Sequence, residues 1–161
     1  MEKTQKKNKS VKAVPEGFHT VTPYFVVDDA TKFIEFVKKA FNGEETFVHK
    51  REDGGIMHAT LKIGDSTIML GETMDGMKAE INMIYLYVDD ADKIYEQAIA
   101  AKAKSIRELK TEFYGDRAGC VKDSWGNTWW ISTHVEDVDD KELERRSKEM
   151  EKERKNQEVH A

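Results

Sequence analysis

The chain has 161 residues, 35% of them charged and 39% apolar, with a formal net charge of -5. That length holds one domain of ordinary size, and the surplus of acid excludes a general attraction to nucleic-acid phosphates, which need Lys and Arg gathered on one face. The single Cys120 allows no internal disulfide and no apolar run suits a signal peptide or a membrane span, so the chain is expected in the cytoplasm.

In chain order, residues 1–17 (MEKTQKKNKSVKAVPEG) hold five lysines and few apolar residues, which predicts a flexible basic tail. From Phe18 the composition turns to β-branched and aromatic residues, and His19 to Val27 is expected to be a strand. Asp28 to Phe41 then shows helical spacing, with Asp28 or Asp29 as the N-cap and Asn42-Gly43 supplying the left-handed residue that ends the helix. Three β-type runs follow, Glu45 to Lys50, Met57 to Ile63 and Thr67 to Leu70, separated by turn signals at Asp53-Gly54-Gly55 and Gly64-Asp65.

This β-α-β-β-β unit is repeated. A shift of 61 residues lays Tyr24, Val27, Asp28, Asp29, Ala30, Lys32, Glu35 and Ala40 on identical residues, and a shift of 62 lays Gly64-Asp65 on Gly126-Asn127. The expected fold is α+β: two βαβββ repeats (18–74 and 80–138) forming curled mixed sheets in a domain spanning 18–138, then a charged C-terminal helix or tail over 139–161. One helix covers one sheet face, so one face of each sheet is left needing cover, which the two copies supply to each other; the concavity within each curled sheet is a candidate ligand cup lined by alternate residues.

Several strings carry a family resemblance: Pro23-Tyr-Phe-Val-Val-Asp-Asp-Ala30, Ile56-Met-His-Ala59, Ile63-Gly-Asp-Ser-Thr-Ile-Met-Leu70, Tyr114-Gly-Asp-Arg-Ala-Gly119 and Asp123-Ser-Trp-Gly-Asn-Thr-Trp-Trp130. In order and spacing they resemble the PhnB-like branch of the vicinal-oxygen-chelate superfamily, the glyoxalase/bleomycin-resistance fold, over residues 18 to 140. Its metalloenzymes place His or Glu ligands on the first and last strands of both units, where a divalent ion stabilises an oxyanion. The corresponding positions are Thr22, Met69 or Ile68, Met83 and Trp130, none a good ligand for a hard or borderline ion. No cofactor is therefore expected, and a divalent metal fits only if its ligands have moved elsewhere.

His134 and Glu72, mates at a shift of 62, are the first candidates for such moved ligands or for an acid–base pair facing one cavity, against the alternative that both sit in solvent. His58 is the third candidate, as a base or an orienting group or as a hydrogen-bonded core histidine. Arg117, in the Tyr114-Gly-Asp-Arg117 loop, suits an anion by its guanidinium fork, or else braces Asp116. Tyr24, Tyr85, Tyr114 and Trp130 complete the expected ligand-binding set; Trp129 and Trp130 must face opposite ways, one into the core and one able to stack a flat ligand. Cys120, placed opposite His58 in the repeat, is expected to be a buried, inert thiol.

After Asp139, which with Glu142 forms a capping-box spacing, only Leu143 and Met150 recur at heptad-like distance, so the charged helix is expected to dock or fray rather than zip. The leading functional expectation is a PhnB-like protein that binds a small anionic or aromatic molecule without the usual metal. The alternatives are a metal-dependent lyase or dioxygenase-type enzyme with relocated ligands, and a resistance-type protein that sequesters a drug. The resemblance also implies a homodimer; neither nucleic acid nor membrane is an expected partner.

Overall fold

The alternating and helical patterns become eight strands and three helices in the computed structural model, which describes residues 11–159. The first unit runs β1 (Tyr24–Val27), α1 (Ala30–Phe41), β2 (Glu44–Lys50), β3 (Ile56–Ile63) and β4 (Ser66–Glu72). The second runs β5 (Met83–Tyr87), α2 (Ala91–Ala100), β6 (Lys104–Thr111), β7 (Asp116–Lys122) and β8 (Thr128–His134), followed by α3 (Asp140–Val159). The strand orders are β1-β4-β3-β2 and β5-β8-β7-β6, with β1–β4 and β5–β8 parallel and the remaining pairs antiparallel. The α+β class and the mixed sheets are as the repeat implies.

Local chemistry sets the boundaries. β1 is shorter than the expected 19–27, because Pro23 has no N–H to give a ladder and the Thr22 hydroxyl turns back onto His19 O at 3.0 Å. Residues 1–10 of the basic tail lie outside the described residues, and 11–17 contain no helix or strand. Asp29 caps α1 by accepting the Lys32 N–H, and Asn42, at φ 54°, supplies the left-handed residue at the other end. Gly43 is needed for a different reason: a Cβ there would meet Val37 at 2.8 Å.

Helix α1 buries Phe33, Phe36 and Val37 against the first sheet, and α2 buries Ile94 and Ala98 against the second. The two halves share one core. Trp129 of β8, fully buried, stacks on Phe25 of β1 with centroids 5.4 Å apart and rings 7° from parallel, and meets Phe41 at 4.5 Å. Its Nε1 donates to Asp123, whose carboxylate also accepts from Trp125 N, Asn127 N and Asn127 Nδ2, each at 2.9 Å. Asn127 Oδ1 in turn accepts from Asn82 N, and Trp125 Nε1 donates to Asp28 O, so the turn before β8 ties both halves together.

That turn also corrects the repeat alignment. The β3–β4 hairpin closes over Gly64-Asp65, whereas five residues, Asp123 to Asn127, separate Lys122 from Thr128. Cys120 pairs Trp130 as Thr60 pairs Met69, so Thr60 and not His58 is the mate of Cys120. The parallel ladders match Tyr24 with Met69 and Tyr85 with Trp130, which makes Thr133, not His134, the counterpart of Glu72. Among the described residues no helix is long and apolar enough to cross a membrane.

Helix α3 starts where expected, with Glu142 N donating to Asp139 at 2.9 Å. It docks on its own domain through its first turns: Arg146 donates to Phe113 O and forks onto Glu136 at 2.7 and 2.9 Å.

Candidate functional site

Period two gives each strand residue a face, and contacts with α2 say which face is which. A Cβ on Gly119 would meet the Tyr95 ring of α2 at 3.0 Å, Thr133 Oγ1 accepts from Ala91 N, and Arg117 forks onto Asp92 with two 2.6 Å bonds. Gly119, Thr133 and Arg117 therefore face the helix. Asp116, Ala118 and Cys120 of β7, with Trp130, Ser132 and His134 of β8, face away from it. On β5 the outward set is Met83, Tyr85 and Tyr87, since Ile84 and Leu86 pack on the core.

This open face has an aromatic wall, a small floor and a polar end. The rings of Tyr85 and Trp130 stack 10° from parallel with centroids 5.9 Å apart, and Arg107 of β6 lies over Trp130 at 5.5 Å. The floor is Ala118, Cys120 and Ser132, all buried. The Ser132 hydroxyl lies near Asp116 but reaches hydrogen-bond geometry with no partner among the described residues. At the polar end the buried Asp116 carboxylate accepts from Tyr87 at 2.9 Å, lies 2.8 Å from His134 Nδ1 and receives a long 3.4 Å contact from Tyr85. A groove of about 830 Å³ follows the free edge of β5, and a recess of about 650 Å³ lies between Phe113, Tyr114 and α3.

Electrostatics ties these groups together. Burial works to raise the Asp116 carboxyl, but the hydrogen bonds from His134 and Tyr87 outweigh it and hold it below the usual carboxylate range. His134 is raised by its bonds to Asp116 and to Asp137, the latter 2.9 Å from Nε2. The Tyr87 phenol is raised by its bond to Asp116, and Tyr114 by burial first and then by Tyr85 and the neighbouring carboxylates. Burial likewise pushes the Cys120 thiol up, which keeps it protonated and unreactive.

A raised histidine stabilises the fold fully below its unfolded pKa of about 6.5 and loses that contribution as pH rises through the folded value. A depressed aspartate contributes above about pH 4 and loses that contribution as pH falls through its folded value. The Asp116–His134 pair is therefore strongest between about pH 4 and 6.5. An NMR titration of His134 is expected to show a midpoint above the ordinary histidine value that falls back in Asp116→Asn. A midpoint that ignores Asp116→Asn would show that the pair is not formed.

The other predicted residues are dispersed. Glu72 ends the first sheet, where its Oε2 accepts Ile56 N at 2.8 Å, and it shares no face with His134. His58 is also in the first sheet, 3.3 Å from the Tyr24 hydroxyl and packed near Phe47. Gly71 lets Tyr24 pass, since a Cβ there would meet its hydroxyl at 2.9 Å. So His58, Glu72 and His134 do not converge, and Arg117 is committed to Asp92 instead of reaching over a ligand. The residues missed by sequence reasoning are Asp116, Tyr87, Ser132 and Arg107. Strict alternation from Tyr85 would have found Tyr87, and the same rule puts Asp116 on the face opposite Arg117.

Thr22 lies before β1 with its hydroxyl on His19 O, Met69 and Met83 offer thioethers, and Trp130 offers only an N–H. Among the described residues no three His, Cys, Asp or Glu side chains are placed to hold a metal ion. These side chains do not fit a divalent ion of the usual kind.

A duplicated βαβββ unit with one helix-free face on each sheet defines a paired-module α+β domain. The chain belongs to the Glyoxalase/Bleomycin resistance protein/Dioxygenase superfamily, whose family model matches residues 17–131. Uncharacterized protein Mb0911c of Mycobacterium bovis is 32% identical over 135 residues, covering 77% of this chain and 89% of that protein. The solved structure of TioX from Micromonospora sp. ML1 is similar with a TM-score of 0.60 at 20% identity, over 71% of this chain and 99% of TioX. The PhnB protein from Bacillus cereus also matches at 0.60, with 14% identity over 71% of this chain and 99% of its own; at these identities both likenesses speak to the fold.

Proposed function

We propose that this protein binds a small planar molecule, aromatic or anionic, on the helix-free face of its second sheet, without the metal chelate of its enzymatic relatives. The observation that carries this reading is the stacked Tyr85–Trp130 pair, on the same face as the buried Ser132 hydroxyl, which lies near Asp116 and reaches hydrogen-bond geometry with no group among the described residues. Flat apolar surface with a few placed polar groups is the usual composition of a small-molecule site. Met83 and Trp130 occupying family ligand positions support the metal-free part.

A second copy of the chain completes the cup. Phe47, Met83 and Tyr87 are 53%, 72% and 67% exposed on the open faces of the two sheets, an apolar surface that an isolated chain seldom leaves bare. The free Cys120 thiol suits a reducing compartment, and we place the protein in the cytoplasm.

Two measurements test the reading together. Thermal shift with 2-naphthol and 2-naphthoate is expected to raise the midpoint, the rise being lost in Trp130→Ala and in Tyr85→Ala but kept in Arg117→Gln. Metal analysis of untagged protein after exposure to Ni, Zn, Mn and Fe is expected to find none at stoichiometry. Stoichiometric metal that disappears in His134→Ala or Glu72→Ala would overturn the metal-free reading, and absence of any probe-dependent shift would overturn the binding reading.

A further inference from the structure

Strand register places Lys104 of β6 directly opposite Lys122 of β7. Like charges facing each other across a ladder cost stability, so the pair is a local charge excess and not a brace. Lys122 follows Cys120 by two residues on β7 and therefore lies on the open face, and its register partner Lys104 lies there with it. An independent sign of the placement is the Cys120 thiol, on which Lys122 and then Arg107 are the cations that act.

Arg107 lies against the ring of Trp130 and bonds Glu112 at 2.6 Å, while Lys110 sits 3.6 Å from the same buried carboxylate. Glu112 thus serves two cations already, and neither Lys104 nor Lys122 forms an ion pair among the described residues. The chain as a whole is acidic, so this cationic margin is a local feature. The open face is polarised: tyrosines and Asp116 at one end, the aromatic wall in the middle and a basic margin along β6.

Resting on the binding reading above, we infer that the ligand is a planar aromatic acid. Its ring lies against the Tyr85–Trp130 wall, and its carboxylate or other anionic group points to Lys104 and Lys122, the two cations of the margin with no ion pair among the described residues. Sequence reading offered Arg117 either as an anion fork or as a brace for Asp116; its guanidinium is bound to Asp92 on the other face, and the unpaired cations nearest the wall come from β6 and β7. Arg107 is held between Trp130 and Glu112, so the charge left for an anion is that of the two lysine ammonium groups, whose attraction salt can screen.

Isothermal titration with 2-naphthoate, 2-naphthalenemethanol and 2-naphthylmethylammonium separates ring from charge. Naphthoate is expected to bind about tenfold or more tightly than the alcohol at low salt, with the advantage shrinking in high salt. Reversing the margin with Lys104→Glu and Lys122→Glu is expected to remove that advantage and leave the alcohol unchanged; single Lys122→Gln, a milder change at an exposed site, gives an intermediate loss. Equal binding of naphthoate and alcohol, unaltered by the lysine variants, would sink the aromatic-acid inference and leave the planar-ligand reading standing. Preference for the ammonium would also sink it and point to Asp116. Binding of none of the three would sink both.

Discussion

Trp129→Ala is expected to destabilise the fold by about 3–5 kcal/mol, the range for emptying a large aromatic from a core. The indole is fully buried and does three things at once: it stacks on Phe25, packs against Phe41 and donates to Asp123. Phe25 and Phe41 belong to the first unit and Trp129 to the second, so the cavity would open between the halves. A domain of this size is stable by roughly 5–15 kcal/mol and loses roughly 2–4 °C of midpoint per kcal/mol, so a drop of about 10 °C or more is expected. Denaturant unfolding measures it directly. A cost below about 1 kcal/mol would mean that the halves do not lean on this ring.

The second large effect is expected at Asp123. Its carboxylate is buried and accepts four N–H groups, from Trp125, Asn127 backbone and side chain, and Trp129. Asp123→Ala strands those donors, each buried unsatisfied group costing about 1–3 kcal/mol, with relief where the loop can open to water; a net loss of about 3–4 kcal/mol is expected. Asp123→Asn keeps the shape but turns an NH₂ toward donors, so it should cost less, about 1–2 kcal/mol. Because Asp123 and Trp129 share a bond, the losses of Asp123→Ala and Trp129→Phe should not add, the double variant costing less than the sum by about 0.5 kcal/mol or more. Strict additivity would show that the indole N–H is satisfied some other way.

Both effects arise where the Asp123–Asn127 turn enters β8, a stretch that sequence reading had marked as a repeat signature and as a family string. Gly64-Asp65 and Gly126-Asn127 look equivalent as letters, but the second turn is longer and carries the polar knot. Between register-equivalent residues, four positions separate Lys62 from Thr67 but five separate Lys122 from Thr128, so no single shift aligns the strands on both sides of the turn. Counting by 62 made His134 the mate of Glu72, whereas the parallel ladders run at 61 and separate them by sheet and by face.

Arg117 shows why one residue of register decides chemistry. It and Asp116 are neighbours, and both were read as parts of one loop. As residues of β7 they point to opposite faces: Arg117 to Asp92 on α2, Asp116 to Tyr87 and His134. Arg107 and Lys104 lie on β6, whose sequence, Lys104 to Thr111, has no apolar alternation to announce a face. Only pairing with β7 turns them toward Trp130.

By itself the sequence determined the duplicated βαβββ plan, the helix caps and the split between Trp129 and Trp130, because these depend on local periods and on backbone chemistry within a few residues. Tertiary structure alone decided which polar groups meet. Strand register, set by turn length and by packing across 30 to 100 residues, selects the face of every side chain, and that choice assembled Asp116, His134, Tyr87 and the basic margin while sending Glu72 and Arg117 elsewhere.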